Sequence, residues 1–179
     1  MAITVLRQAV KAGRDLGLSP DPDWSHVADN IPILKFEDGV TRENATYDGV
    51  DIKQADVNLL AFPLEHITDR NQIEKDLRFY KARMSPEGPA MGSSVLATLH
   101  ARLGNSAKAF DLFRKSYQPN RVPPFGVLAE AAGDTNPYFA AGAGGMLQSV
   151  LFGFGGFNIR SSMVTDLRTT DDRRCRLCL

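Results

Sequence analysis

Apolar side chains recur every three or four residues along most of the chain, the spacing that places them on one side of an α-helix. The clearest stripe follows Asp69, which is predicted to cap its helix with Gln72 reaching back to the cap. The same spacing predicts five helices, with apolar positions at Ile3, Leu6, Ala9 and Val10; Trp24 and Val27; Ile73, Leu77, Tyr80 and Met84; Val95, Leu96, Leu99 and Leu103; and Ala109, Phe110, Phe113 and Tyr117. The fold class is therefore predicted to be mainly α.

Residues at the ends of these stripes carry boundary signals. Asp21 before Pro22 predicts an N-cap followed by a first helical turn. Ser93 and Ser94 precede the fourth stripe and are predicted to cap it. Gly104 lies between the fourth and fifth stripes, and so short a connection predicts an antiparallel helical hairpin.

Three other segments have different patterns. Asp38-Gly39 lies between apolar residues and predicts a small β-hairpin excursion near 31–42. The mostly apolar run Ile52–Leu64, closed by Pro63, is interpreted as a buried helix, and residues 138–154 as a helix rich in Gly and Ala. A series of helical hairpins of this kind is typical of an α/α toroid or a solenoid.

Length and charge exclude several classes of function. The 179 residues have the length of one domain, and Lys plus Arg and Asp plus Glu both total 21. A net charge of zero gives no electrostatic reason to expect nucleic acid or an acidic membrane surface as a partner. No apolar run approaches the roughly 20 residues that span a bilayer, and the first residues lack the plan of a signal peptide. A soluble protein is expected, with the cytoplasm favoured as its compartment.

The histidines and cysteines predict no metal site. His26 and His66 lack ligand spacing, and Cys175 and Cys178 form a single CxxC in an arginine-rich tail. We expect neither a metal nor another cofactor.

A cluster of polar residues within the run from Ile52 to Leu64 is the first candidate for chemistry. Lys53 and Gln54 can donate hydrogen bonds to sugar hydroxyls, and Asp56 can accept from them. The structural alternative is a solvated or internally paired set of charges.

Glu130 is the second candidate. It follows Pro123, Pro124 and Phe125, whose stiff backbone and aromatic ring can hold a carboxylate in a partly desolvated place, where it can deprotonate a water. The structural alternative is a Glu that begins or caps a short helix before Ala131.

Five blocks of sequence together resemble glycoside hydrolase family 65, and most closely its hydrolase branch, which includes acid trehalase and the glucosidase acting on glucosylgalactosyl-hydroxylysine. They occur in the family's order and cover roughly residues 20 to 159. The blocks are Ile52-Lys-Gln-Ala-Asp-Val57, Phe62-Pro63, Gly88-Pro-Ala-Met91, Pro124-Phe125 through Glu130, and Gly144-Gly-Met-Leu-Gln-Ser-Val-Leu-Phe-Gly-Phe154.

The resemblance implies an (α/α)6 barrel that cleaves an α-glucosidic bond with inversion. It implies that Lys53 and Gln54 bind the glucose and that Glu130 is the general base. The expected partner is an α-glucoside, either trehalose or a glucosyl-galactosyl-hydroxylysine type substrate. The phosphorylases of the family bind phosphate partly through a histidine whose position is Phe139 here, which favours hydrolysis. Ser93 and Ser94 match the same phosphate region, so phosphorolysis stays open as an alternative.

The resemblance also implies that this chain holds about half of a catalytic barrel, in residues 1–159. The general acid of the family lies upstream of the Lys-Gln pair, beyond Met1, so the isolated chain is predicted to be inactive. Residues 160–179 do not resemble the family and are predicted to be a disordered, atypical tail. Half a toroid leaves apolar faces unpartnered, and association through those faces is expected.

Two further alternatives come from other functional classes. The stretch from Leu96 to Tyr117 is similar to a tetratricopeptide hairpin and would suit a helical-repeat interaction module. That class needs a repeat of about 34 residues, and the sequence holds no second copy. The other alternative is a carbohydrate-binding remnant without catalysis.

Overall fold

The computed structural model describes residues 1–86, 88–160 and 163–166. The chain forms two compact units, of which the first is Met1–Thr46 and the second begins at Tyr47. The prediction for the tail from residue 160 onward falls mostly on residues 161–162 and 167–179, which lie outside the described residues.

The first unit contains two helices and a tight turn. Helix α1 spans Ala2–Asp15 and α2 spans Pro22–Asn30. The Asp21 carboxylate accepts a hydrogen bond from the Asp23 backbone N–H at 2.9 Å, as its N-cap position predicts. The excursion expected near 31–42 is a turn closed by a single antiparallel bridge between Lys35 and Thr41. Gly39 has a φ of +83° there, which glycine adopts without strain.

The second unit is mainly helical, with two small antiparallel hairpins. Its α-helices are α3 Arg70–Lys81, α4 Ala90–Arg102, α5 Ser106–Lys115 and α6 Ala140–Gln148, and α6 continues as the π-helix Ser149–Phe154. Short 3-10 helices span Asp56–Leu60 and Gln118–Asn120. Strands β1 Arg121–Val122 and β2 Val127–Leu128 pair with each other, as do β3 Phe157–Arg160 and β4 Met163–Asp166. The predicted mainly α class is confirmed.

The core of the second unit lies between α3, α4 and α5. Its buried residues include Leu77 of α3, Leu96 and Leu99 of α4, and Leu112 of α5. α3 begins where predicted, since the Asp69 carboxylate accepts from the backbone N–H groups of Asn71 and Gln72. α4 and α5 form the expected antiparallel pair around Gly104, whose φ is +82°.

The segment Ile52–Leu64 was predicted to be a buried helix, and that prediction is wrong. Ile52 is in a parallel bridge with Met84, Ala55 has an extended backbone, and the helical part is limited to the 3-10 helix Asp56–Leu60, which a turn follows. The backbone N–H of Ile52 donates to Arg83 O at 2.9 Å, so the start of the segment is held by another part of the chain and not by its own helix.

The prediction that Ser93 and Ser94 cap α4 is also wrong, because α4 begins at Ala90 with Pro89 as its N-cap residue. Ser94 is 1% exposed, and its hydroxyl donates to Met91 O at 2.7 Å within the helix.

Ser94 lies where α4 packs against α6. The Ser149 hydroxyl donates to Ser94 O at 2.8 Å, and the Thr98 hydroxyl lies 3.2 Å from Ser149 Oγ. A Cβ at Gly153 would be 3.1 Å from Thr98 Cα, so small residues allow the two helices to approach closely.

Candidate active site

Lys53 and Glu130 form the centre of the candidate site. Lys53 Nζ donates to Glu130 Oε1 at 2.7 Å, across 77 positions of the sequence. Both side chains are accessible, with exposed fractions of 66% and 48%. The two candidates that the sequence offered separately are therefore in direct contact on a solvent-facing surface.

The backbone of Lys53 is held by the segment that connects α3 to α4. Next to it, the Ser85 backbone N–H donates to Ile52 O at 2.9 Å. Gly88 packs directly on Lys53, because an added Cβ would be 2.5 Å from Lys53 O and 3.0 Å from Ser85 O. The lack of a side chain at Gly88 thus lets the loop from α3 to α4 set the position of Lys53.

The backbone of Glu130 is held by Asn120. The side-chain amide of Asn120 is 4% exposed and donates to Glu130 O at 2.8 Å and to Ala129 O at 3.2 Å. The Ala129 backbone N–H donates in return to Asn120 O at 2.8 Å, and the Ala90 backbone N–H is 3.4 Å from Glu130 O. Glu130 therefore does not begin a helix. It lies in an irregular segment between β2 and α6, with a fixed backbone and an accessible carboxylate.

Gln54 and Asp56 lie beside this pair in sequence and are linked to each other. Gln54 Nε2 donates to Asp56 Oδ1 at 2.9 Å, which orients the amide of Gln54. Gln54 is half-buried and Asp56 is exposed. The site thus offers a cation, an oriented amide and two carboxylates, a set that can both donate to and accept from hydroxyl groups.

The residues matched to a phosphate region are placed differently from one another. The Ser94 hydroxyl is buried between α4 and α6, where a phosphate has no access to it, whereas Ser93 is half-buried. Phe139 lines a mainly apolar cavity of about 450 Å³ between the β1–β2 hairpin and α6, together with Tyr117, Arg121 and Leu128. Lys53, Gln54 and Glu130 are not part of its lining.

Comparison with known proteins shows the family of this chain. Residues 25–120 match the model of the glycosyl hydrolase family 65 central catalytic domain, which is more than half of the chain. The chain belongs to glycosyl hydrolase family 65. The resemblance drawn from the five sequence blocks is thereby confirmed, and the mainly helical structure is consistent with the catalytic domain of that family.

Three relatives show the range of activities among similar proteins. The family 65 chain is 54% identical over 166 residues to the kojibiose hydrolase of Mucilaginibacter mallensis, covering 92% of this chain and 25% of the relative. It is 37% identical over 165 residues to the protein-glucosylgalactosylhydroxylysine glucosidase of Danio rerio, covering 89% and 25%. It is 37% identical over 169 residues to the periplasmic/secreted acid trehalase of Candida glabrata, covering 86% and 14%.

The family 65 chain spans about a quarter or less of the length of these curated relatives. They are named as a hydrolase, a glucosidase and a trehalase. One is named as periplasmic or secreted, so the cytoplasmic compartment favoured from the sequence stays a prediction.

Neither a metal-binding cluster nor a membrane-spanning helix occurs in the residues that the structure describes. In residues 1–86, 88–160 and 163–166, no three His, Cys, Asp or Glu side chains are grouped so that they could hold a metal ion. None of the helices in this part of the chain is long and apolar enough to cross a bilayer.

Sequence reasoning missed Asn120 and Gly88 as residues that position the site. Asn120 follows Pro119 in a loop, where an Asn is ordinarily a turn residue, and only its burial shows its role. Gly88 was noted only as the first residue of one sequence block. The Pro89 that follows it was the available signal of a loop, where a Gly allows a close backbone contact.

Proposed function

We propose that this family 65 chain supplies one half of the active site of an inverting α-glucoside hydrolase. The observation that carries the proposal is the 2.7 Å contact between Lys53 Nζ and Glu130 Oε1. It brings the residue that the resemblance matches to glucose binding next to the residue that it matches to the general base. The (α/α)6 barrel, of which this chain would form part, belongs to the same proposal.

Glu130 acts as the general base. Inversion requires a carboxylate that takes a proton from a water on the face of the sugar opposite the leaving group. The general acid lies on the other face, about 6.5–9.5 Å away in enzymes of this kind, so that a water fits between the base and the sugar. Asn120 contributes by holding the backbone of residues 129 and 130, which limits where the carboxylate can be placed.

Lys53 and Gln54 bind the glucose. The Lys53 ammonium has three donors and uses one on Glu130, which leaves two for sugar hydroxyls. Since both partners are largely accessible, their ion pair contributes less than about 1 kcal/mol and can open when substrate enters. The hydrogen bond to Asp56 holds Gln54 in a fixed orientation beside it.

Hydrolysis is proposed in preference to phosphorolysis. An imidazole at position 139 would be a phosphate ligand, and the apolar ring of Phe139 is not. The burial of Ser94 removes one of the two matched hydroxyls from consideration as a phosphate ligand and leaves only that of Ser93, which is half-buried. Glu130, by contrast, can activate a water, so water is the proposed nucleophile.

Kojibiose is the proposed substrate. Two kojibiose hydrolases are 54% and 47% identical to the chain, whereas the glucosidases and trehalases named above are at 37%. Kojibiose thus takes the place of trehalose and the glucosyl-galactosyl-hydroxylysine type substrates that were expected from the sequence. The chain alone is proposed to be inactive, because the family's general acid belongs to a segment upstream of the Lys-Gln pair.

The test is a chimera in which this chain replaces the matching quarter of the Mucilaginibacter mallensis enzyme. Glucose release from kojibiose is measured for the chimera, for its Glu130→Gln and Lys53→Met variants, and for the 179-residue chain alone. We expect an active chimera, a loss of at least a thousandfold in kcat for Glu130→Gln, a raised KM for Lys53→Met, and no release by the chain alone.

Glu74→Gln is the matched control, since it makes the same substitution on α3 outside the site. It should leave kcat within about twofold of the unmodified chimera. Near-normal turnover by a folded Glu130→Gln chimera would contradict the base assignment. Glucose release from kojibiose or trehalose by the isolated chain would contradict the proposal of inactivity.

A further inference from the structure

A second cavity, with one polar and one apolar side, lies at the other end of α4 from the candidate active site. Its volume is about 180 Å³, room for about six water molecules. Ile73, Leu99 and Leu103 form its apolar side, and Arg70, Arg102, Glu65, Thr68 and Asn158 supply polar groups. The proposed hydrolysis makes no use of these groups.

Arg102 is held by three contacts. Its Nη1 donates to Glu65 Oε1 at 3.1 Å, its Nε donates to Phe152 O at 3.1 Å, and its guanidinium lies 4.6 Å from the ring centroid of Phe62. Only 16% of the Arg102 side chain is exposed. The guanidinium is therefore fixed in orientation before any ligand arrives.

Glu65 and Arg70 complete the polar side of the cavity. Glu65 has a φ of +51°, a strained conformation for a residue with a side chain, and its carboxylate contacts Arg102. Arg70 Nη2 donates to Leu103 O at 2.9 Å. Within the described residues, the Nη2 of Arg102 and the Nε and Nη1 of Arg70 have no hydrogen-bond acceptor.

The length of α4 separates this cavity from the candidate active site. Glu130 O is 3.4 Å from the backbone N–H of Ala90, the first residue of α4, whereas Arg102 is the last. Twelve residues at 1.5 Å each place the two ends about 18 Å apart. A ligand of 180 Å³ cannot extend from one to the other.

We propose that this cavity is a second binding site, for a small oxyanion. Two guanidinium groups and one carboxylate line it, so it carries one net positive charge. Guanidinium groups with free N–H donors bind carboxylate or phosphate in planar pairs of hydrogen bonds. The aliphatic side formed by Ile73, Leu99 and Leu103 suits a short hydrocarbon portion, so the ligand is a small organic acid or a phosphate.

The experiment titrates the full chain with inorganic phosphate, succinate and glucose, following the methyl resonances of Ile73, Leu99 and Leu103 by NMR. We expect saturable shifts with phosphate, succinate or both, weaker at higher ionic strength, and none with glucose. Binding of phosphate alone identifies a phosphate site, and binding of succinate alone identifies an organic acid site. No saturable shift with either anion, or saturable shifts with glucose alone, would overturn the proposal.

Arg70→Gln should weaken anion binding at least tenfold, and Arg70→Lys should weaken it less because it keeps the charge without the planar donors. Arg78→Gln is the matched control, since it removes the same charge from the exposed side of α3 and should not change the affinity. Equal affinities for Arg70→Gln and the unmodified chain would overturn the site. If Arg70→Gln does not fold, the comparison of Arg70→Lys with Arg78→Gln decides.

Discussion

His100 is a buried residue of α4, 4% exposed, and neither of its ring nitrogens has a hydrogen-bond partner within the described part of the chain. Burial, with a contribution from the nearby charges of Lys108 and Lys81, lowers the pKa of His100 from 6.5 to about 4. The folded protein therefore holds the imidazole neutral under conditions in which the unfolded chain protonates it.

We predict from this that the protein loses stability between pH 6.5 and pH 4. In that window the unfolded state binds more protons, so the free energy of unfolding falls as pH falls, by at most about 3 kcal/mol. His100→Leu should flatten the dependence, as measured by urea denaturation at a series of pH values. His26→Leu removes an exposed histidine and should leave the pH dependence of stability unchanged. An unchanged slope in His100→Leu would show that other groups cause the loss.

Asn120 holds the backbone carbonyls of Ala129 and Glu130 through its side-chain amide. Asn120→Ala leaves Ala129 O and Glu130 O without the amide that they share, which should cost about 1–3 kcal/mol of stability in urea denaturation. In the chimera, kcat should fall by a larger factor than KM rises, since the carboxylate of Glu130 loses its fixed backbone. The control is Asn30→Ala, which removes an exposed amide-to-carbonyl bond to His26 O and should cost a few tenths of a kcal/mol. Equal losses at the two positions would mean that Asn120 has no special role.

Small residues let α4 pack closely against the π-helix that continues α6. Gly153→Ala would place a Cβ 3.1 Å from the backbone at Thr98 and 3.4 Å from Ala101 Cβ, so the two helices must separate slightly. The expected cost is about 1–3 kcal/mol in thermal or urea unfolding. Gly144→Ala, on the same helix with nothing within 4 Å, should instead stabilise by up to about 1 kcal/mol. If both substitutions act in the same direction, the close packing does not limit the residue at 153.

The regular helices were predictable because their signals are local. The stripe from Ile73 to Tyr80 and the carboxylate of Asp69 lie within a few turns of each other, and α3 forms where they indicate. The segment Ile52–Leu64 was not predictable in this way. Its apolar run fits a buried helix as well as any other buried segment, and the backbone bonds of Ile52 to residues 83 and 85 override that preference.

The candidate site was predictable by residue type but not by arrangement. Sequence chemistry selected Lys53 and Glu130 separately, and the family resemblance supplied the reason to connect them. Their contact depends on two loops 77 positions apart, which no local pattern reports. Asn120 was missed for the same reason, since its role consists of hydrogen bonds to residues nine and ten positions away.

At the scale of the whole molecule, the chain corresponds to about a quarter of the kojibiose hydrolase that it resembles at 54% identity. A toroid of helical hairpins buries each helix between two neighbours, so a partial toroid has helices with apolar faces that the rest of the ring would cover. In the proposed barrel, the exposed apolar residues at the end of α6 and in the π-helix that follows it belong to such a face. Leu147, Val150 and Leu151 are 57%, 43% and 48% exposed.

We predict that the isolated chain self-associates through this patch, defined by Leu147, Val150 and Leu151. Three exposed apolar side chains within five positions form a contiguous surface of the kind that monomeric proteins rarely expose. The double substitution Leu147→Glu with Leu151→Glu should shift the chain toward monomer in multi-angle light scattering, because two carboxylates in the contact repel their counterparts in the second copy. Leu16→Glu is the matched control, since Leu16 is 75% exposed just after α1 and outside the patch, and it should leave the association unchanged. The prediction is contradicted if the unmodified chain is monomeric at high micromolar concentration. It is also contradicted if the double variant associates as strongly as the unmodified chain.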